Sequence, residues 1–165
     1  MFWESTTQTC QKEETPLKGK KVAVVDTPGF SHRYCLYKDI VAEANKRVRF
    51  CSPGLHVILH GMSPFHFMAQ QIKESFGHKA QDYTILLFTC KDDLGGRSLA
   101  KVIPSRHEHL KEYIAECRNR ILAFDNKAEG EEREAQVAEL MTMIDALVER
   151  NRNAPCYMMK VHKRL

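Results

Sequence analysis

Four short apolar runs, each ending abruptly in polar or turn residues and separated by stretches of helical period, set the limits on what this chain can fold into. The runs are Lys21–Val25 (KVAVV), Leu55–Leu59, Tyr83–Thr89 (YTILLFT) and Ile121–Phe124. Tyr83–Thr89 is the most strand-like of them, and Lys21–Val25 is apolar on both faces, as a buried strand of a parallel sheet would be. Between them, Leu36, Ile40, Val41, Ala44 and Val48 fall at helical spacing within 34–50, and Ser52-Pro53-Gly54 stops that helix. Residues 64–76 and 102–117 are further expected helices. Residues 129–150 form a long amphipathic one, with Ala135, Val137, Leu140, Met143, Ile144 and Leu147 inward. A polar edge strand is expected over 8–15, followed by a turn at PLKGK with Gly19 as its flexible point. Strands alternating with helices predict an α/β fold with a largely parallel sheet and helices on both faces.

One domain accounts for the 165 residues. A net charge of +4, with acids and bases interleaved, gives no indication of a nucleic-acid partner. The compact basic cluster Lys160, His162, Lys163 and Arg164 is expected to be a solvated tail, so residues 1–150 form the domain and 151–165 a basic C-terminal tail. No run approaches the length of a membrane span, and Met1–Thr15 lacks the apolar core of a secretory signal. The six cysteines include no CxxC pair. Reduced thiols in the cytoplasm are therefore expected, with peripheral contact to intracellular membranes left open. His56 and His60 share a strand face, but their spacing suggests no metal site.

The chemistry sits at the strand ends. In an α/β sheet, ligands bind beyond the carboxyl ends of the strands. After the first run comes Asp26-Thr27-Pro28-Gly29. Asp26 there can reach Mg²⁺, directly or through water, and Gly29 lets its N–H approach a γ-phosphate closely. A plain turn is the competing reading of those residue types. After the third run come Lys91, Asp92 and Asp93. A carboxylate accepts two hydrogen bonds side by side, and guanine offers an adjacent pair of donors that adenine lacks. Asp93 is the candidate reader and the Lys91 stem packs over the base, although a solvated loop would use the same residue types. After the fourth run comes Asp125-Asn126, where Asn126 can support the base or the reading Asp.

VAVVDTPGF, SPGLHVIL, YTILLFTCKDDL and AFDNKAEGEEREAQVAELM together resemble the immunity-associated (IMAP, or GIMAP) GTPases of the septin and Toc superfamily, over roughly residues 5–150. The resemblance implies a three-layer Ras-like G domain that binds GTP or GDP with Mg²⁺ and assembles into homo- or hetero-oligomers through that domain. It places Thr7 at the switch threonine that meets Mg²⁺ and the γ-phosphate, Asp26 and Gly29 at the DxxG positions, Lys91 and Asp93 in the base-specificity motif, and Asn126 in the last base-contacting box. Cys90 departs from the Asn that many GTPases carry there.

The family's first strand, its G-x-x-x-x-G-K-S/T loop and its first helix have no counterpart here; the lone Gly19-Lys20 lies in a turn. The stretch HGMSPFHFM also replaces a longer connection. About four charge-assisted phosphate bonds, at roughly 1.5–3 kcal/mol each, would be lost without the loop. Weak nucleotide binding and weaker hydrolysis follow. Two functions remain: a nucleotide-controlled switch whose front end is absent from this chain, or a degenerate G domain kept as a protein-interaction module. Without the first strand, Lys21–Val25 and Leu55–Leu59 are expected to pair directly and in parallel, giving a marginally stable chain that self-associates.

Overall fold

The computed structural model describes residues 11–26, 54–62, 78–89, 91–103 and 108–158, and divides the chain into two compact units, 55–157 and the segments flanking it. In the flanking unit, β1 (Gln11–Leu17) and β2 (Lys20–Asp26) form an antiparallel hairpin, in register from Gln11↔Asp26 to Leu17↔Lys20. Lys18 and Gly19 close it with φ of 48° and 75°. Two positive φ values make a turn whose twist matches the strands, and glycine takes the second at no steric cost. Glu14 meets Lys21 across the pair at 2.7 Å and Lys12 at 3.1 Å, and the Lys21 bond lowers the Glu14 pKa first. These groups are exposed, so their pairing adds little to stability.

The hairpin corrects the expectation for Lys21–Val25. Among the described residues β2 is hydrogen-bonded only to β1, and Val24 is 52% exposed. It does not pair with the Leu55–Leu59 run, and it is not a buried parallel strand. A β-branched run fits any pleated surface, and a two-residue turn closes the local pairing at far lower entropic cost than a long crossover would.

The 55–157 unit is α/β, as expected. Its sheet runs β3-β4-β5, all parallel: β3 (Ile58–Met62), β4 (Thr84–Phe88) and β5 (Ile121–Ala123). Its helices are α1 (Leu99–Val102), α2 (Glu108–Glu116) and α3 (Gly130–Arg150). β4 has a strand on each side and is buried along most of its length, which explains the unbroken apolar run TILLF. Ile85, Leu86, Phe88, Leu110, Tyr113, Cys117, Leu122 and Leu147 form the core. Cys117 is buried in this core.

β3 starts three residues later than the expected Leu55–Leu59 strand. Ile58 and Met62 are buried and Leu59 is 42% exposed, whereas Leu55 forms an antiparallel bridge with Tyr157 through two backbone bonds of 3.1 and 2.8 Å. Asn151 donates to the Asp82 carbonyl, and the Tyr83 hydroxyl to that of Ala154, so the chain past α3 folds back to the start of β4. The expected 102–117 helix is borne out over 108–116 as α2, and α1 precedes it at 99–102. Arg118 and Asn119 end α2 in left-handed conformations (φ 56° and 57°), returning their N–H groups to Ala115 and Ile114. Arg120 then turns inward. Its Nε donates to Thr84 O at 2.8 Å and its Nη2 to Gln81 O, while Nη1 is buried without a partner among the described residues. Burial lowers the Arg120 pKa. The expected helices over 34–50 and 64–76 lie outside the described residues.

Along α3 the expected inward residues Val137, Leu140, Met143 and Ile144 are half-buried. Ala135 is exposed, while Gln136, Met141 and Leu147 are buried. Glu131 and Glu132 lie in the first turn, where the helix dipole favours acids.

Ile85 is fully buried, so Ile85→Ala lowers unfolding free energy by about 2–5 kcal/mol in urea titrations. The exposed Val24→Ala changes it by less than about 0.5 kcal/mol. His60 contacts the ring of Tyr113 edge-on, with Nδ1 3.3 Å from the Tyr113 hydroxyl. Burial pushes its pKa down to about 4. Between that value and the usual 6.5 the unfolded chain binds more protons, so stability falls as pH drops through this window, by about 3 kcal/mol in all. Urea titrations at stepped pH values measure this slope, and His60→Phe flattens it.

Candidate functional site

The parallel ladder does not stop where β4 and β5 end. Phe124 donates its N–H to Phe88 O at 2.8 Å, and Lys91 returns its own to Phe124 O at 3.0 Å. Thr89 donates to Met62 O at 2.9 Å, which ties in the end of β3. The segments leaving β4 and β5 therefore start side by side at the carboxyl edge of the sheet, where this fold class binds ligands.

Beyond β4 the chain makes a 3₁₀ turn, Lys91–Leu94. Leu94 is 4% exposed and pins the turn to the core. Gly95 and Gly96 leave it at φ of 57° and 75°, values that a side chain tolerates poorly. Lys91 is exposed, and an open cavity of about 520 Å³ beside it is lined by Leu94, Arg97, Leu122 and Glu139 among others. Asp93 lies within the turn, one residue before its buried anchor. Its side chain is outside what the structure describes.

Beyond β5, the Asp125 carboxylate accepts the Lys127 N–H at 2.8 Å, and Asn126 is left exposed at the tip of this tight turn. α3 holds the turn from below. Gln136 Oε1 accepts the Asp125 N–H at 2.7 Å, and Gln136 Nε2 donates to Asp125 O at 3.3 Å. Lys127 Nζ reaches Asp92 Oδ2 at 2.5 Å, joining the β5 segment to the β4 segment a second time. That pair has a largely exposed lysine, so its contribution is modest.

Of the residues expected from sequence, the structure brings the segments of Lys91, Asp93 and Asn126 together. Asp26, exposed at the end of β2, belongs to the other unit. Thr7 and Gly29 lie outside the described residues. Gln136, Asp92 and Lys127 were not expected. Gln136 could have been found: it falls in helical register with Leu140, Met143 and Leu147, a polar residue within an apolar stripe. His56 and His60 go separate ways, to Cys156 Sγ and Tyr113, and no cluster of three metal-ligating side chains occurs among the described residues. Mg²⁺ in phosphate-binding sites needs only one or two carboxylates beside the phosphates, and Asp26 is the one such donor of the expected set that the structure describes.

The AIG1 family model matches residues 2–165. Human "GTPase IMAP family member 8" is 32% identical, covering 93% of this chain and 23% of that protein. From Arabidopsis thaliana, "Immune-associated nucleotide-binding protein 9" is 29% identical over 90% of this chain, and "Immune-associated nucleotide-binding protein 8" is 31% identical over 87%. The chain spans 47% and 44% of those two plant proteins, so it corresponds to less than half of each relative. The match along nearly the whole sequence, together with loops gathered at the ends of a parallel sheet, makes this chain a member of the AIG1 family.

Proposed function

We propose that this chain binds guanine nucleotides, reading the base with the loops at the ends of β4 and β5. Asp93 accepts from the two adjacent guanine donors, the Lys91 stem covers the base plane, and Asn126 supports the reading carboxylate. The observation that carries the proposal is the backbone bond from Lys91 to Phe124, which sets both loops at one level. Thr7, Asp26 and Gly29 are assigned to the phosphates and Mg²⁺, with Asp26 and Thr7 as the metal-side donors. Residues 1–150 act as the G domain and 151–165 as its C-terminal tail. The whole protein is then a GTP/GDP-controlled switch in the cytoplasm, with peripheral membrane contact, that assembles through its G domains. In the described residues no helix is long and apolar enough to cross a membrane.

The 165 residues contain no G-x-x-x-x-G-K-S/T sequence. Phosphate contacts worth roughly 6–12 kcal/mol are therefore not supplied by that motif, against about 12 kcal/mol for nanomolar binding. Hydrolysis depends even more on phosphate positioning, so this chain is a poor GTPase on its own. A second reading, a G domain used as a protein-interaction module without hydrolysis, is favoured by the β1–β2 hairpin, whose Val24 is turned to solvent.

Two binding outcomes test the proposal. Calorimetry with GDP, GTP and ADP on the 165-residue chain gives guanine preference at micromolar or weaker affinity; nanomolar binding would mean that another segment or a second protomer supplies the phosphate contacts. Asp93→Asn moves the preference toward xanthine nucleotides, whose 2-carbonyl pairs with an amide. An unchanged guanine preference in Asp93→Asn removes Asp93 from the site.

A further inference from the structure

We propose that Gln136 is a positioning residue for base recognition: its side-chain amide fixes the turn that carries Asn126 and, through Phe124, the turn that carries Asp93. The inference rests on the guanine-nucleotide reading and deepens it. Gln136 and Thr84 are the buried polar residues among those described. Thr84 satisfies its hydroxyl on Ala80 O, within its own connection. Gln136 instead reaches out of its helix to a loop. A Leu or Met at this point of the apolar stripe would pack without the cost of burying an amide. The amide is held by two bonds to a single residue, the N–H and the C=O of Asp125.

The next peptide groups transmit that constraint. Phe124, adjacent to Asp125, gives its N–H to Phe88 and takes the N–H of Lys91 on its carbonyl. On the other side, the Asp125 carboxylate holds Lys127 N–H, with Asn126 between them. Lys127 in turn grips Asp92, the neighbour of Asp93. One buried side chain on α3 thus anchors both base-reading loops, and does so without touching the base. With the amide removed, the Asp125 peptide groups turn to water and the two loops lose their common height.

Guanine and hypoxanthine differ only in the 2-amino group, a donor assigned to Asp93. The preference for GDP over IDP therefore reads loop placement, which a merely structural role would not move. The experiment measures GDP, IDP and ADP affinities and amide exchange on the full chain for wild type, Gln136→Met and Gln136→Glu. Met keeps the volume and the helix packing but neither bond. Glu keeps the acceptor for the Asp125 N–H and loses the donor to its carbonyl. Wild type is expected to prefer GDP over IDP about tenfold or more. Gln136→Met is expected to reduce this to about threefold or less and to speed exchange at Asp125 and Lys91 while β4 stays protected. Gln136→Glu falls between. A selective wild type with an equally selective Gln136→Met, or unchanged exchange at Asp125 and Lys91, overturns this role alone. A wild type indifferent to the base overturns the nucleotide reading and this role with it.

Discussion

Lys91 donates its backbone N–H to Phe124 O just past the point where two strands stop pairing, and the site depends on that bond. Parallel strands end at their own lengths, and the loops beyond them ordinarily leave at different heights. Here the ladder continues through Phe88, Phe124 and Lys91, so a turn from each strand starts from a shared base. The burial of β4 makes this possible. A strand paired on both sides and covered on its faces cannot slip register without moving its whole apolar set.

The interactions around the site differ in weight. Buried ones carry it: Leu94 in the core under the first turn, and Gln136 under the second. The Lys127–Asp92 pair is exposed on its lysine side and acts as a clasp more than a foundation. The far end of the unit is held by the same kind of economy in polar groups. Arg120 satisfies two carbonyls, of Gln81 and of Thr84 at the start of β4, while Leu55 and Tyr157 pair across the return of the chain. The sheet is thereby fixed at its amino edge and free to present loops at its carboxyl edge.

Much of this was legible in the sequence, for physical reasons that also explain the failures. YTILLFT marks β4 because a strand paired on both sides and largely buried takes apolar residues at successive positions, and the polar residues after it mark where the loop begins. KVAVV is likewise an apolar run, yet β2 turns back on β1, because the two-residue Lys18–Gly19 turn offers a nearby partner that apolarity alone does not reveal. Leu55–Leu59 was misplaced by three residues since its apolar content also serves a bridge to Tyr157, a partner far along the chain. Lys91, Asp93 and Asn126 are legible only as positions just beyond strand ends, and the structure places their segments there. Gln136 was passed over because the helix was read only for its apolar positions. The neighbours Asp92 and Lys127 carry no pattern of their own, and only the folded loops bring them together.

The central claim is that one face, built from the loops after β4 and β5, recognises a guanine base. A nuclear magnetic resonance titration of the isotope-labelled 165-residue chain tests it most directly. Addition of GDP should shift the amide signals of Lys91, Asp93 and Asn126 together, with a single saturation curve, and equal concentrations of ADP should leave them in place. Shifts of the same size with ADP, or GDP-induced shifts confined to residues away from these loops, would contradict the account.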